Sequence, residues 1–149
     1  MAECFLDTNV LLCAVSTHPP EAQKAGAARE LVQAADWAWS AQVAAEFIRA
    51  STSPRQPKPL ARAEARRWIE TWMAFPMAAV DGALVLEAAQ IAERFQIGHF
   101  DAQILAAAKR MGCATVYSEE LKIGTELRRR ARGESFCAEG LAHLARLQS

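Results

Sequence analysis

Carboxylic acids stand at four places where a globular chain ordinarily gains little from placing them. Asp7 directly follows the short apolar run Cys4-Phe5-Leu6, and Glu119-Glu120 lie just past a second run, Ala114 to Tyr117. Glu46 falls on the same helical stripe as Val43, Phe47 and Ala50, and Asp101 lies one turn before Ile104 and Leu105 on an inward stripe. A carboxylate on a core-facing stripe is costly unless its charge is compensated. A divalent cation would compensate it, because magnesium and manganese are hard ions that prefer carboxylate and water oxygens. Such an ion polarises a phosphate, lowers the pKa of a bound water and orients an in-line attack. Two ions roughly 3.5–4 Å apart stabilise the entering and leaving oxygens together. Acids without histidine or cysteine among them therefore point to phosphodiester hydrolysis more than to redox chemistry.

Each acid alone has a plainer reading. Asp7 could cap a helix, Glu46 could pair with Arg49, and Asp101, Glu119 and Glu120 could be first-turn acids favoured by a helix dipole. The order and context of all of them together favour one shared site.

The elements that must position these acids can be read from periodicity and punctuation. Cys4-Phe5-Leu6 and Trp37-Ala38-Trp39-Ser40 read as short buried strands, and Ala114 to Tyr117 as a third. An apolar helix follows Asp7-Thr8-Asn9. A second helix is expected from near Pro20, which suits a first turn, to about Ala35. The segment Ser51 to Pro59 holds Pro54, Pro57 and Pro59 and must be a loop. Helices are expected from Leu60 to about Met73 and from Asp81 to Phe95, and another from near Asp101 that stops at Gly112. Beyond Arg128, Arg129, Arg130 and Arg132, an edge strand is expected at Ser135–Ala138. Short apolar strands separated by helices imply an α/β domain with a mostly parallel sheet covered on both faces. Ligands of such sheets sit outside the carboxyl ends of the strands, which is where Asp7 and Glu119-Glu120 fall.

Composition sets the outer bounds. The 149 residues suit one domain over 1–149, and 52% hydrophobic residues are enough to build its core. Seventeen basic and seventeen acidic residues cancel, which argues against binding nucleic acid mainly through an overall positive field. Cys4, Cys13, Cys113 and Cys137 form no C-x-x-C pair, and His18, His99 and His143 lie far apart, so no zinc pattern emerges. Reduced thiols used as small apolar residues suit a cytoplasmic protein. The N-terminus shows no signal-peptide pattern and no apolar run approaches a membrane span.

Four segments, in order, resemble the motifs of PIN domains. Phe5-Leu6-Asp7-Thr8-Asn9-Val10-Leu11-Leu12 is similar to the opening motif, and Ser40-Ala41-Gln42-Val43-Ala44-Ala45-Glu46-Phe47 to the second. Phe100-Asp101-Ala102-Gln103-Ile104-Leu105-Ala106-Ala107-Ala108 resembles the third, and Val116-Tyr117-Ser118-Glu119-Glu120-Leu121 the fourth. The resemblance implies a three-layer fold with a mostly parallel sheet, and a ribonuclease dependent on one or two magnesium or manganese ions. It makes Asp7, Glu46, Asp101 and Glu120 the acidic centre, with Thr8, Asn9, Ser118 and Glu119 in support. Glu120 stands where the family usually has Asp, so its carboxylate reaches one methylene further. Glu119 could take its place by a small backbone shift, and a looser second ion is expected.

Small stand-alone members of the family are mostly VapC-type toxins, which implies a VapB-like antitoxin as partner and a homodimer. The expected chemistry is attack of water on an RNA phosphodiester, leaving a 5′-phosphate and a 3′-hydroxyl. The RNA backbone is expected on Arg49, Arg55, Lys58, Arg62 and Arg66 around the proline loop and on Arg128–Arg130. Trp37, Trp39, Trp68 and Trp72 could stack bases, although core or subunit packing is the better use for most of them. His99 reads as an exposed loop residue. Two other readings stand beside this one. A non-catalytic RNA- or protein-binding module has only Glu120 in its favour, and a haloacid-dehalogenase-like phosphatase lacks its second Asp, since position 9 is Asn.

Overall fold

Three-residue and four-residue apolar runs cannot stand alone in water, and here each is paired on both edges. The structure, a computed structural model, describes residues 2–34, 36–113, 115–118 and 126–128. Strand β1 is Cys4–Leu6, β2 is Trp37–Ser40, β3 is Met77–Ala78, β4 is Thr115–Tyr117 and β5 is Glu126–Arg128, in the order β3-β2-β1-β4-β5. The β1–β2, β1–β4 and β2–β3 pairs are parallel, and β5 alone runs antiparallel, against β4. The mostly parallel α/β sheet expected from sequence is therefore present. β1 and β2 are buried along their whole length, as strands covered on both faces must be.

The helices are α1 (Thr8–Val15), α2 (Ala22–Ala34), α3 (Ala41–Ser51), α4 (Arg62–Trp72), α5 (Gly82–Phe95) and α6 (His99–Arg110). α1 packs on α2 and α3, and α3 on α4, while α5 packs on α6. The chain runs from β1 outward to β3 with the first group and returns to β4 with the second. Right-handed crossovers consequently place the two groups on opposite faces of the sheet. In α6 every residue from Ala102 to Ala108 is buried. Alanine makes this possible, since its small side chain lets a helix sit close to its neighbours all round. At the far end of α5, Asp81 caps the helix through Leu84 N–H (2.8 Å) and meets Arg110 of α6 (3.1 Å). The Leu84 N–H, and after it the Arg110 guanidinium, hold the Asp81 carboxyl below the usual carboxylate range.

The differences from the sequence expectations are local. The helix expected near Pro20 opens as a 3₁₀ turn, Pro19–Glu21, before α2 begins at Ala22. The helix expected from Asp101 starts two residues earlier, at His99. β3 was not expected at all, because two residues carry no readable period. It is added by main-chain bonding, with Trp39 N–H donating to Pro76 O at 3.1 Å. The expected strand at Ser135–Ala138 lies outside the described residues.

Most of the tryptophans belong to the core. Trp37 stacks on Phe75 at 4.0 Å, and Trp72 meets Trp37, Trp39 and Phe47 edge-on. Their indole N–H groups are satisfied too, Trp37 by Val32 O and Trp39 by Phe75 O. Trp68 alone is substantially exposed, lying over Trp72. Trp72→Ala should cost about 3–5 kcal/mol, as a truncated buried aromatic does, and Trp68→Ala less than half of that. Denaturant unfolding midpoints of the two variants check the contrast.

Candidate active site

The strand order reverses direction between β1 and β4. In open α/β sheets such a switch point is where a crevice forms at the carboxyl ends of the strands. Asp7 sits at this point. Its N–H donates to Tyr117 O (3.0 Å), continuing the β1–β4 ladder by one residue, and its Oδ1 accepts from Thr8 N (2.7 Å) at the start of α1. The neighbouring α3 is launched by Ser40, whose Oγ accepts from Val43 N at 3.3 Å, and this brings Glu46 round to the crevice. α6 begins after Gly98 and presents Asp101 in its first turn.

Asp7 from the N-cap of α1, Glu46 from α3 and Asp101 from α6 thus reach one pocket. Thr8, Asn9, Leu12, Gln42, Arg49, Ala50, Phe100 and Ile104 complete its lining. Ser118, just past β4, is buried and lines an adjoining hollow together with Asn9. Glu119 and Glu120 lie outside the described residues. Among the described residues, no three Asp, Glu, His or Cys side chains stand close enough to form a ready-made cation cage. Like charges brought together in a confined pocket repel, and the acids here are spread along the wall instead. The donor set is still the right one for a hard divalent cation, since it offers carboxylate and hydroxyl oxygens with no thiolate or imidazole among the acids.

Glu46 is held by neutral donors. Thr8 Oγ1 donates to its Oε2 (3.0 Å) and Gln42 Nε2 to its Oε1 (3.1 Å). Arg49 also lines the pocket, but the Glu46–Arg49 pair is absent from the ion pairs of the described residues. The amide orientations then follow by necessity. A carboxylate only accepts, so Gln42 turns its NH₂ to Glu46 and Phe100 O (3.2 Å), leaving its Oε1 to accept from Gln103 Nε2 at 2.6 Å. Gln103 must then offer Oε1 to His99 Nε2 (3.2 Å), which has to donate. The chain His99–Gln103–Gln42–Glu46–Thr8 ties α6 to α3 and α3 to α1. It corrects the reading of His99, which is a half-buried residue of α6 and not an exposed loop histidine. Gln42 and Gln103 were missed in the sequence because a glutamine carries no charge or period that betrays a site.

A second hollow adjoins the first and shares Asn9 and Leu12 with it. Its walls carry Lys24 from α2, Lys58 and Gln56 from the proline loop, and His18 before the 3₁₀ turn. Of the cations expected near the site, Arg49 and Lys58 line one hollow or the other, whereas Arg55 and Arg62 line neither. Arg66 pairs with Glu70 on the exposed side of α4. Arg128 lies in β5, and Arg129 and Arg130 fall outside the described residues. Lys24 was missed because only the packing of α2 on α1 brings it to the crevice.

An α/β fold with an acidic pocket at the switch point between its central parallel strands defines a recognisable class. Residues 4–124 match the family described as PIN domain, and the chain belongs to that family. Among solved structures, it resembles VapC20 of Mycobacterium tuberculosis, described as a sarcin–ricin loop cleaving toxin. That likeness has 18% identity and a TM-score of 0.64, and covers 85% of this chain and 99% of the other. It also resembles VapBC2 of Rickettsia felis, described as bound to a DNA fragment from the promoter, at 17% identity and a TM-score of 0.53 over 80% of this chain and 91% of the other. A comparison with curated protein sequences finds no match. Membership of the PIN family supports a nuclease in general. No helix among the described residues is long and apolar enough to cross a membrane.

The relay makes Gln103 a sensitive position. Gln103→Leu keeps the volume but strands Gln42 Oε1 and the His99 N–H, so unfolding should become easier by about 1–3 kcal/mol. Chemical denaturation measures this. An unchanged midpoint would mean that water takes over both groups at no cost.

Proposed function

We propose that the protein is a metal-dependent endoribonuclease and the toxin of a type II toxin–antitoxin pair. The observation that carries this reading is the convergence of Asp7, Glu46 and Asp101, from the N-cap of α1, from α3 and from α6, on one pocket at the switch point of a PIN fold. Asp7 and Asp101, with Glu120 from beyond the described residues, would hold magnesium or manganese, and Glu46 would complete the acidic cluster. When bound, such a cation supplies electrophilic stabilisation of the phosphate and a water of lowered pKa.

The residues of the chain itself do the positioning. Thr8 and Gln42 fix both oxygens of Glu46, so its charge is aimed before substrate arrives. Asn9 stands between the two hollows, and Lys24 and Lys58 in the second give the RNA backbone a cationic continuation from the acidic pocket. Arg49 can meet a phosphate at the pocket itself. In the reaction, a water oxygen bonds to phosphorus, the P–O3′ bond breaks, and the leaving oxygen takes a proton. The products carry a 5′-phosphate and a 3′-hydroxyl.

The fold likeness to VapC20 and to VapBC2 supports a small VapB-like antitoxin as partner and a cytoplasmic site of action. A homodimer fits the same reading, with α4 offering Trp68 and the adjacent Met73 as exposed apolar residues.

Purified protein given mixed cellular RNA should cut it with magnesium or manganese and not with chelator. Asp7→Asn should lower the rate on the order of a hundredfold or more, since even outer-shell partners of a metal ligand are worth 10- to 100-fold. A folded, metal-supplied, antitoxin-free protein that never cuts would favour a binding module in which Glu120 fails to complete the site. Replacing the 2′-hydroxyl at the cut by hydrogen should leave cleavage intact, because water and not the ribose attacks. Loss of cleavage with binding retained would refute that mechanism. Lys24→Ala and Lys58→Ala should each raise KM and flatten the salt dependence of binding by about 0.7 in log–log slope, the value for one single-strand phosphate contact. Arg66→Ala, paired on the far face, should change neither.

A further inference from the structure

The acidic pocket has one wall that phosphate chemistry does not explain. Phe100 is 66% exposed, although it sits in the first turn of a helix whose next seven residues but one are all buried. Phe100 lines the same pocket as Asp7, Glu46 and Asp101, and Ile104, one turn further on the same helix face, lines it too. A large apolar side chain left open to water next to a charged pocket gains nothing from the fold.

We propose that Phe100 is a nucleobase-binding platform, on which an unpaired base next to the cleaved phosphate stacks. The proposal rests on the ribonuclease reading and adds to it a way of choosing where the strand is cut. Three observations support it. The main chain of Phe100 is held, since Gln42 Nε2 donates to Phe100 O and the same amide holds Glu46. The ring is fixed laterally too, because His99 packs against it in a T-shaped contact (5.7 Å, 77°). Phe100 and Asp101 also line the same pocket, so a base on the ring and a phosphate at the acids would be neighbours along one strand. A base in a duplex keeps its faces covered, so only an unstacked one can use this surface. Trp68, the other exposed large aromatic among the described residues, lies by Glu64, Arg67 and Thr71 and lines neither hollow of the crevice.

Short single-stranded RNAs carrying 2-aminopurine at successive positions test this directly. Binding is followed by fluorescence in an Asp7→Asn background with magnesium, so that the RNA stays whole, while the unmodified chain is assayed for cleavage in parallel. Quenching is expected at one or two adjacent positions with Phe100 and with Phe100→Tyr. Phe100→Leu, similar in apolar area but without a π-face, should lose the quenching and bind roughly ten- to a hundredfold more weakly. An abasic residue at the quenched position should weaken binding by the same factor, and the two losses should not multiply. Its exposure means that Phe100→Leu should melt where the parent does. If Phe100→Leu binds and cuts as the parent does, the platform is overturned and the nuclease stands, and the exposed ring belongs to a protein contact. Quenching without any cleavage by the unmodified chain keeps the platform and removes the nuclease. A parent that binds none of the RNAs overturns both.

Discussion

Carboxylates confined to one crevice repel one another, and the fold around this site is arranged to hold them in spite of that. Glu46 in particular is restrained by neutral donors. Asp7 is fixed by a ladder bond to Tyr117 and by the Thr8 N–H, and Glu46 by Thr8 and Gln42. A lysine or arginine in place of these donors would neutralise the site and leave nothing for a cation to gain. Neutral hydrogen bonds orient the oxygens while leaving their negative charge uncancelled. The absence of a compact three-acid cluster among the described residues follows from the same balance. The acids are aimed at a common space and kept apart within it.

The relay from His99 to Thr8 makes this arrangement cooperative. One buried glutamine, Gln103, sets the orientation of Gln42, and Gln42 serves both Glu46 and the carbonyl of Phe100. A shift of α6 relative to α3 would therefore move an acid and the aromatic wall together. The packing of α5 on α6, with Asp81 bridging to Arg110 at its far end, gives α6 the rigid seat that such coupling requires.

Much of this was legible in the sequence, and the reasons are specific. Asp7 could be found because it ends a buried strand, and Glu46 and Asp101 because a charge on an apolar stripe is conspicuous. The strands β1, β2 and β4 announced themselves as apolar runs between helical periods. Neutral and long-range features were the ones that could not be read. β3 is two residues held by main-chain bonds, Gln103 carries no charge, and Lys24 comes to the crevice only through the packing of α2 on α1. Trp37, Trp39 and Trp72 are core, the use that the sequence favoured for most of the tryptophans. The exposed aromatic at the site is Phe100, and the sequence showed it only as the residue before Asp101.

The two hollows differ in character, and the difference bears on how such a pocket chooses a substrate. Cations at the second hollow attract every nucleic-acid backbone alike, so they add affinity without sequence or shape preference. On the proposed ribonuclease reading, the acids would act on any phosphodiester that reaches them. Discrimination must therefore come from groups that are neither acid nor base. Around the pocket these are the apolar and amide side chains: Leu12, Ile104, Phe100 and Gln42. They meet the sugar and base edges of whatever strand the charges have drawn in. An apolar wall rewards a base only when that base has already left its stack. The cost of unstacking is smallest in loops and bulges, so on the proposed reading the wall would bias cleavage toward such places without reading a single hydrogen-bond pattern. In a chain whose basic and acidic residues balance, weak overall attraction sharpens this bias, because little backbone affinity is available to override a poor fit at the pocket.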